Sequence, residues 1–229
     1  FYTQAWNTSK IDPVTGFVNL FDTRYTNKEN ARKFFSNFED IRFNKKKNYF
    51  EFEFDYSKFT NKYKESKQHW IVCTFGERIE TFRNPENNSQ WDNKTIDLTQ
   101  EFKNFFEEKN IDCSNLKAEI VKQESKEFFE KLLKLFRLTL QMRNSKTGTD
   151  VDYMQSPVAC DGVFYNSEEC VDTLPKNADA NGAYNIARKG LMIVDKIKNA
   201  DDLKKVKFAI SNKEWLNFAQ MKPYLDVLW

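Results

Sequence analysis

Residues 125–145, SKEFFEKLLKLFRLTLQMRNS, carry the strongest helical pattern of the chain and decide its fold. Apolar residues recur there every three or four positions, which places them on one face of a helix. They are Phe128, Phe129, Leu132, Leu133, Phe136 and Leu140. Ser125 stands where a helix N-cap is expected. The segment therefore predicts a long helix that forms the spine of the domain.

The preceding residues predict elements that can pack on this helix. NKENARKFFSNF, residues 27–38, is typical of a short amphipathic helix, with three phenylalanines on one side. In residues 40–56, DIRFNKKKNYFEFEFDY, apolar and polar residues alternate on both sides of NKKKN, which predicts a hairpin with one buried face. HWIVCTFG and RIETFRN predict two further strands, broken near Gly76.

The remaining segments give weaker patterns. RNPENNSQWDN, residues 83–93, predicts a polar loop, and Thr99 is a possible cap for a helix over residues 99–110. Residues 146–177 predict a long loop with one short strand around residues 163–165. A second helix is expected from Asp179 to about Asn199; its predicted inward residues are Ala183, Ile186, Ala187 and Met192.

The C-terminal segments predict one more strand and one more helix. KVKFAIS, residues 205–211, predicts a strand and NKEWLNFAQ, residues 212–220, a closing helix. Strands and helices in this order predict a mixed α/β chain of the α+β type.

Composition sets broad limits. The chain has 229 residues and a net charge of only +2, so a nucleic-acid surface would need local clustering of charge. No apolar run is long enough to predict a membrane span, and the first residues show no signal-peptide pattern. They read as a continuation of earlier sequence, so we expect a piece of a longer, cytosolic protein.

The cysteines do not predict a zinc site. Cys73, Cys113, Cys160 and Cys170 form no C-x-x-C pair, and His69 is the only histidine. We expect reduced, mostly buried thiols.

One acidic residue has two interpretations. Asp179 lies among small residues in ADANGAY, at the predicted start of a helix. A carboxylate there complements the helix dipole without any further role. The other interpretation is a ligand of Mg²⁺, which prefers hard oxygen ligands. The small neighbours would let a phosphodiester backbone approach, but they equally suit tight helix packing.

The end of the spine helix offers further candidates. Arg143 is predicted at its C-terminus, where a cation is favourable to the dipole in any case but a guanidinium can also fork onto a phosphate. Asp150 and Asp152 follow in the polar loop, where acidic residues are commonly just solvated.

Taken together, several strings resemble the C-terminal part of the subtype V-A CRISPR effectors, the RNA-guided DNA endonucleases of the Cpf1 family. The likeness runs through most of the chain and keeps its order. The strings are TSKIDPVTGFVNLFDTRY, KNYFEFEFDYSKF, GERIETFRNPENNSQWDN, LQMRNSKTGTDVDYMQSPV, ADANGAYNIARKGL and KFAISNKEWLNFAQ.

The resemblance implies two domains. Residues 1–177 correspond to the Nuc lobe, with antiparallel strands packed by helices, and residues 178–229 to the third RuvC segment, the last part of an RNase H-like domain. Asp179 matches the metal-binding acid of that segment, whose two partner acids precede the Nuc lobe in the family. Two Mg²⁺ ions, or Mn²⁺ as a substitute, would support phosphodiester hydrolysis at the complete site.

The resemblance also implies roles in the Nuc lobe. Arg143 matches the arginine that helps to bring the target strand to the RuvC site, Asp152 matches a further acidic position, and Gln141 is expected to face the same groove. The implied partners are a CRISPR guide RNA, target double-stranded DNA, single-stranded DNA and the remainder of the effector, in the bacterial cytoplasm and without a membrane. Two alternatives stay open: a DNA-loading scaffold without chemistry of its own, and a relative that has lost the upstream acids.

Overall fold

The computed structural model describes residues 4–64, 66–145 and 152–221. This part of the chain folds into α-helices and antiparallel strands in a mixed α/β arrangement, as the sequence predicts. The helices are α1 (Lys28–Ser36), α2 (Leu98–Glu108), α3 (Leu116–Lys122), α4 (Lys126–Thr139), α5 (Ala178–Lys198) and α6 (Asn212–Met221). The strands are β1 (Asp40–Asn44), β2 (Tyr49–Asp55), β3 (His69–Cys73), β4 (Glu77–Arg83), β5 (Trp91–Asp97), β6 (Arg143–Ser145), β7 (Asp152–Cys160) and β8 (Val163–Asn166).

Helix α4 is the predicted spine. It begins after Ser125, whose hydroxyl accepts a hydrogen bond from the Phe128 N–H, so the predicted cap is confirmed. Its apolar face is buried, and the Phe136 ring lies 5.2 Å from Phe38 of the α1 segment and 5.0 Å from Phe52 of β2, measured between ring centroids. Rings at these distances gain stability beyond the area they bury. The helix therefore joins α1 and the first sheet into one core.

The first sheet has the order β1-β2-β3, and its hairpin has the predicted register. Phe43 pairs with Phe50 and Ile41 with Phe52, which places the alternating apolar residues on one face. The two strands expected on either side of Gly76 form as β3 and β4. Helix α1 also forms as predicted.

Helix α2 begins earlier than predicted, and Thr99 is not its cap. Asp97 accepts from the Gln100 N–H at 2.9 Å and caps the helix, while the Thr99 hydroxyl is buried and donates to the Thr74 carbonyl. The reason is that β5 runs directly into α2. The sequence predicts a polar loop for the first residues of this strand. Its tip residues are exposed, so no apolar alternation marks it in the sequence.

The region expected to be a long loop contains most of a third sheet, with the order β6-β7-β8. Only the strand near residues 163–165 was predicted; β6 and β7 were missed. Strand β7 is buried along most of its length and includes Pro157, and such strands lack the two-residue alternation of a one-sided sheet.

Helix α5 forms over the predicted range, but its predicted inward face is wrong. Ala183, Ile186 and Ala187 are exposed, and Met192 is half-buried. The side that faces the protein carries Asn181, Asn185, Arg188, Lys189 and Ile193.

The reason is the surface on which α5 packs. Asn181 Nδ2 donates to the Ile11 carbonyl at 2.9 Å, and Asn185 Nδ2 donates to the Thr8 carbonyl at 2.8 Å. These carbonyls belong to irregular backbone, which needs hydrogen-bond donors when it is buried. Polar residues therefore occupy the inner face of α5.

The N-terminal segment completes a second apolar cluster with α5 and α6. Ile11 and Val18 pack there with Ile193, Trp215 and Leu216. Helix α6 was predicted, whereas residues 206–210 are not a strand; a short 3-10 turn, Leu203–Lys205, precedes them. The division of the chain at residue 177 stays a prediction.

Candidate nucleic-acid interface

Arg143 does not end helix α4, as the sequence suggested. The helix ends at Thr139, and Arg143 is the first residue of β6. Its position is therefore set by strand pairing with β7, in which Arg143 lies opposite Met154. An interaction with the helix dipole, which fades within the last turn, does not explain this arginine.

Arg143 and Asp152 form an ion pair across the two strands. Asp152 lies opposite Ser145, two residues along β6 from Arg143, so the two side chains are diagonal neighbours on one face of the sheet. Arg143 Nε lies 3.1 Å from Asp152 Oδ2. The arginine side chain is 57% exposed and the aspartate 17%, so the guanidinium points towards solvent from a carboxylate that is largely covered.

Only one carboxylate oxygen of Asp152 is used in this pair. The other, Oδ1, is buried and has no hydrogen-bond partner among the described residues. An unpaired buried oxygen is costly, so this arrangement lowers the stability of the folded state. Asp150, the other acidic residue singled out in the sequence, lies outside the described residues.

Gln141 and Asn144 attach the Arg143 segment to β4. Gln141 Nε2 donates to the Ile79 carbonyl at 2.9 Å, and Asn144 Oδ1 accepts from the Ile79 N–H at 3.0 Å. Both polar groups of one β4 residue are thus bound by the side chains that flank Arg143. Asn144 is fully buried, whereas the arginine between them is exposed. Sequence reasoning missed Asn144; its place beside Arg143 in QMRNS was the available signal.

A buried arginine of β4, Arg78, connects this strand to β7. Arg78 Nη1 donates to Gln155 Oε1 of β7 at 2.8 Å, and burial lowers the Arg78 pKa to about 10. A side chain at Gly76 would collide with the Gln155 amide, since a Cβ there would lie 2.2 Å from it. These contacts fix β4 against β7 and so fix both strands beside β6.

Two clefts flank Arg143. One, of about 210 Å³, lies between Arg143 and the N-terminal segment at Ser9 and Lys10. The other, of about 340 Å³, lies between β4, the last turn of α4 and β6, and we refer to it as the β4–β6 cleft. Its polar lining is Glu80, Thr81, Arg137, Gln141, Arg143 and Ser145. Gln141 and Arg143 therefore do border the same groove.

Asp179 lies in the first turn of α5 and is exposed. Asn177 caps this helix, since its side chain accepts from the Ala180 N–H at 2.8 Å. The hydrogen bonds and ion pairs within residues 4–64, 66–145 and 152–221 connect Arg143 to Asp152 but do not connect Asp179 to either. Gln141, Arg143 and Asp152 are thus brought together, and no hydrogen bond or ion pair among the described residues links Asp179 to them.

The residues around Asp179 do not by themselves fit a two-metal site. Within the described chain, the one group of three side chains with ligand atoms close enough to share an ion is Glu39, Glu53 and His69, and it does not include Asp179. Both histidine nitrogens lie 3.3 Å from a carboxylate oxygen, one from each glutamate, so these residues already pair with one another.

The four cysteines are free thiols, but they are less buried than expected. Cys73 is buried, Cys113 is exposed, and Cys160 and Cys170 are intermediate. Burial raises the Cys73 pKa to about 12, which keeps this thiol protonated.

Among the helices that the structure describes, none combines the length and the apolar character of a membrane span.

The chain was also compared with known protein families. The family model described as a nuclease domain, NUC, matches residues 11–169. This range is more than half of the chain and contains the whole of the Arg143 region, from β4 to β7. The chain therefore belongs to the nuclease-domain (NUC) family.

Proposed function

We propose that this chain is the C-terminal part of an RNA-guided DNA endonuclease of the subtype V-A CRISPR type. Its nuclease domain would guide a DNA strand into a RuvC site that hydrolyses target and non-target strands and, once activated, single-stranded DNA. The observation that carries the proposal is an exposed Arg143 guanidinium, held by Asp152 at a cleft within a domain of the nuclease family.

The geometry suits Arg143 to a phosphate of the DNA backbone. A guanidinium offers a planar fork of donors that matches phosphate oxygens. Arg143 Nε lies beside Asp152, and the arginine side chain is 57% exposed, so the guanidinium is accessible to a ligand. In this proposal Asp152 positions the arginine, and Gln141 anchors its segment on β4. Gln141 Nε2 already donates to the Ile79 carbonyl and to Asn144 Oδ1, so Gln141 would border the groove without binding a phosphate oxygen.

The metal part of the proposal rests on the resemblance. Asp179 would supply one carboxylate to a site with two Mg²⁺ ions, which support in-line hydrolysis when they are bound. One carboxylate does not make such a site, so the other ligands would have to come from elsewhere in the effector. The exposed position of Asp179 at a helix start leaves its carboxylate accessible for this purpose.

The partners follow from the same proposal. They are a CRISPR guide RNA, the target duplex, single-stranded DNA and the remaining effector polypeptide, in the bacterial cytoplasm. Base pairing with the guide would read the sequence, so the nuclease domain needs only sequence-independent contacts to the backbone.

Strand-resolved cleavage by the reconstituted effector tests the proposal. Asp179→Ala is expected to abolish cleavage of both strands while guide and target binding survive. The control is Asp172→Ala, which removes a fully exposed aspartate before α5 and should leave cleavage unchanged. Cleavage retained by the Asp179 variant would remove this residue from the metal site.

The same assay tests the arginine. Arg143→Ala is expected to impair target-strand cleavage more than non-target cleavage, which leaves a predominantly nicking enzyme. Arg24→Ala removes an 89% exposed arginine remote in sequence and serves as the charge-matched control. Equal loss on both strands would contradict a role in steering the target strand.

A second candidate function is a DNA-loading scaffold without chemistry of its own. It is favoured by one observation, the lack of a metal-ligand group around Asp179 in the described residues. Cleavage of labelled single-stranded DNA in Mg²⁺ separates the two when the reconstituted effector with guide and target is compared with this chain alone. The scaffold predicts binding without cleavage in both, whereas cleavage by the reconstituted effector that is lost in Asp179→Ala would exclude it.

A further inference from the structure

We propose that the β4–β6 cleft is a binding site for the phosphodiester backbone of single-stranded DNA and that Arg137 is its second phosphate-binding residue, opposite Arg143. This inference rests on the proposed function and deepens it, because it assigns a site and a residue to the DNA contact. Arg137 and Arg143 line the cleft from different elements, α4 and β6, so a strand that enters the cleft meets two cations.

Arg137 is free to contact a ligand. It lies in the last turn of α4 and is exposed, while its neighbours Phe136 and Leu138 are buried. Among the described residues, no ion pair or hydrogen bond engages its guanidinium. An arginine at this place complements the helix dipole, but a lysine would do so equally. Its place in the lining of the cleft is the feature that the dipole does not explain.

The charge of the cleft favours an anion. Among the described residues, the one acidic residue in the lining is Glu80, which is 17% exposed and forms an ion pair with Lys134 of α4. The negative charge of Glu80 is therefore compensated from outside the cleft. Arg137 and Arg143 add two positive charges. The ion pair with Asp152 compensates the charge of Arg143, and that of Arg137 remains. The surface of the cleft thus remains cationic.

The shape and the neutral groups favour a backbone over a base. The lining contains Thr81, Gln141 and Ser145, and in the part of the chain that the structure describes it presents no aromatic ring on which a base could stack. A volume of about 340 Å³ is at the low end of ligand sites, which run from roughly 300 to 1,000 Å³. A cationic groove that follows the backbone is the sequence-tolerant way to bind a single strand.

Binding of an oligonucleotide tests the proposal without any need for cleavage. The probe is a fluorescein-labelled oligothymidylate of about 20 nucleotides, and its anisotropy is titrated with the whole chain in EDTA at roughly 50 to 200 mM KCl. Arg137→Ala is expected to weaken binding about 2- to 5-fold, as for the loss of one partly exposed ion pair. The slope of log affinity against log salt should become flatter by about 0.7, the value for one phosphate of a single strand.

Three variants serve as comparison. Arg143→Ala should produce a loss of similar size, and Arg24→Ala should produce none. Arg137→Lys should keep the salt slope but recover only part of the affinity, because lysine keeps the charge and loses the fork. Alanine favours helices, so unchanged thermal unfolding of Arg137→Ala would exclude a loss of fold as the cause.

The outcomes separate this inference from the proposed function. Wild-type affinity and salt slope in Arg137→Ala, together with weakened binding in Arg143→Ala, would overturn the two-arginine cleft and leave the role of Arg143 in place. Weakened binding in Arg137→Ala alone would support the cleft and contradict the proposed role of Arg143. A wild-type chain that does not bind the oligonucleotide would overturn both.

Discussion

Asn144 is the residue whose replacement best tests how the Arg143 segment is held. Its side chain is fully buried and makes three contacts. Oδ1 accepts from the Ile79 N–H at 3.0 Å and from Gln141 Nε2 at 3.2 Å, while Nδ2 donates to the Met142 carbonyl at 3.3 Å. Asn144→Ala removes all three, but they contribute unequally to the expected loss in the free energy of unfolding.

The cost can be worked out from the partners that remain. The Met142 carbonyl still accepts from the Gln155 N–H, and Gln141 Nε2 still donates to the Ile79 carbonyl. The Ile79 N–H alone is left without its acceptor in a buried place, which costs about 1–3 kcal/mol. With the space that the amide leaves, we expect a loss of about 2–3 kcal/mol in the free energy of unfolding.

Urea unfolding measures this loss, and the oligonucleotide titration shows its effect on the interface. Asn144→Ala should lower the midpoint at an unchanged urea slope and weaken DNA binding, because Arg143 is no longer fixed beside β4. Asn115→Ala is the control: it precedes α3 and its side chain makes no capping hydrogen bond, so the change should stay within about 0.5 kcal/mol.

Asn144→Asp separates shape from charge. It keeps the acceptor for the Ile79 N–H but replaces the donor to Met142 by a buried carboxylate oxygen. We expect it to be at least as destabilising as alanine near neutral pH, since an unpaired buried charge is costly. An Asn144→Ala variant within 0.5 kcal/mol of the wild type, below the roughly 1 kcal/mol minimum for an orphaned buried donor, would refute the reasoning.

The remaining predictions concern Asp12 and Gly16 of the N-terminal segment, with Gly162 as a comparison. Burial raises the Asp12 pKa above its ordinary value of 3.8, so the folded state keeps a proton that the unfolded chain releases, and stability is lost as the pH rises through this window. Asp12→Asn should therefore gain stability relative to the wild type as the pH increases from about 4 towards neutral in urea titrations; a pH-independent difference would argue against it. Gly16→Ala should cost more than about 2 kcal/mol, because Gly16 has a φ of +73° and a Cβ would lie 2.4 Å from the Ala219 carbonyl oxygen. Gly162→Ala, with a φ of +83° and open space, should cost only about 1 kcal/mol, and equal melting temperatures for the two variants would show that the contact with α6 is unimportant.

The parts of the fold with a strong local period were predictable from the sequence. The spine helix α4 and the β1–β2 hairpin each bury one regular face, so the spacing of their apolar residues fixes both the element and its orientation. Ser125 was predictable as a cap because capping depends only on neighbouring residues.

Elements whose neighbours are distant in sequence were predicted poorly. Strand β7 is buried along most of its length and β5 is mostly exposed, so neither shows an alternating pattern. Helix α5 was placed correctly but turned the wrong way. Its apolar residues suggested a buried stripe, whereas Ile186, Leu191 and Val194 are each about 40% exposed.

For the candidate site, the types of residue could be recognised in the sequence: an arginine and an aspartate with a short polar segment between them, and another aspartate at the start of a helix. Their arrangement depends on contacts between elements that are distant in the chain. Pairing of β6 with β7 brings Arg143 to Asp152, and the Ile79 backbone binds Gln141 and Asn144 across more than sixty residues of chain. The physical reason is that a hydrogen-bond partner supplied by a remote strand leaves no period or spacing in the sequence around the residues that it fixes.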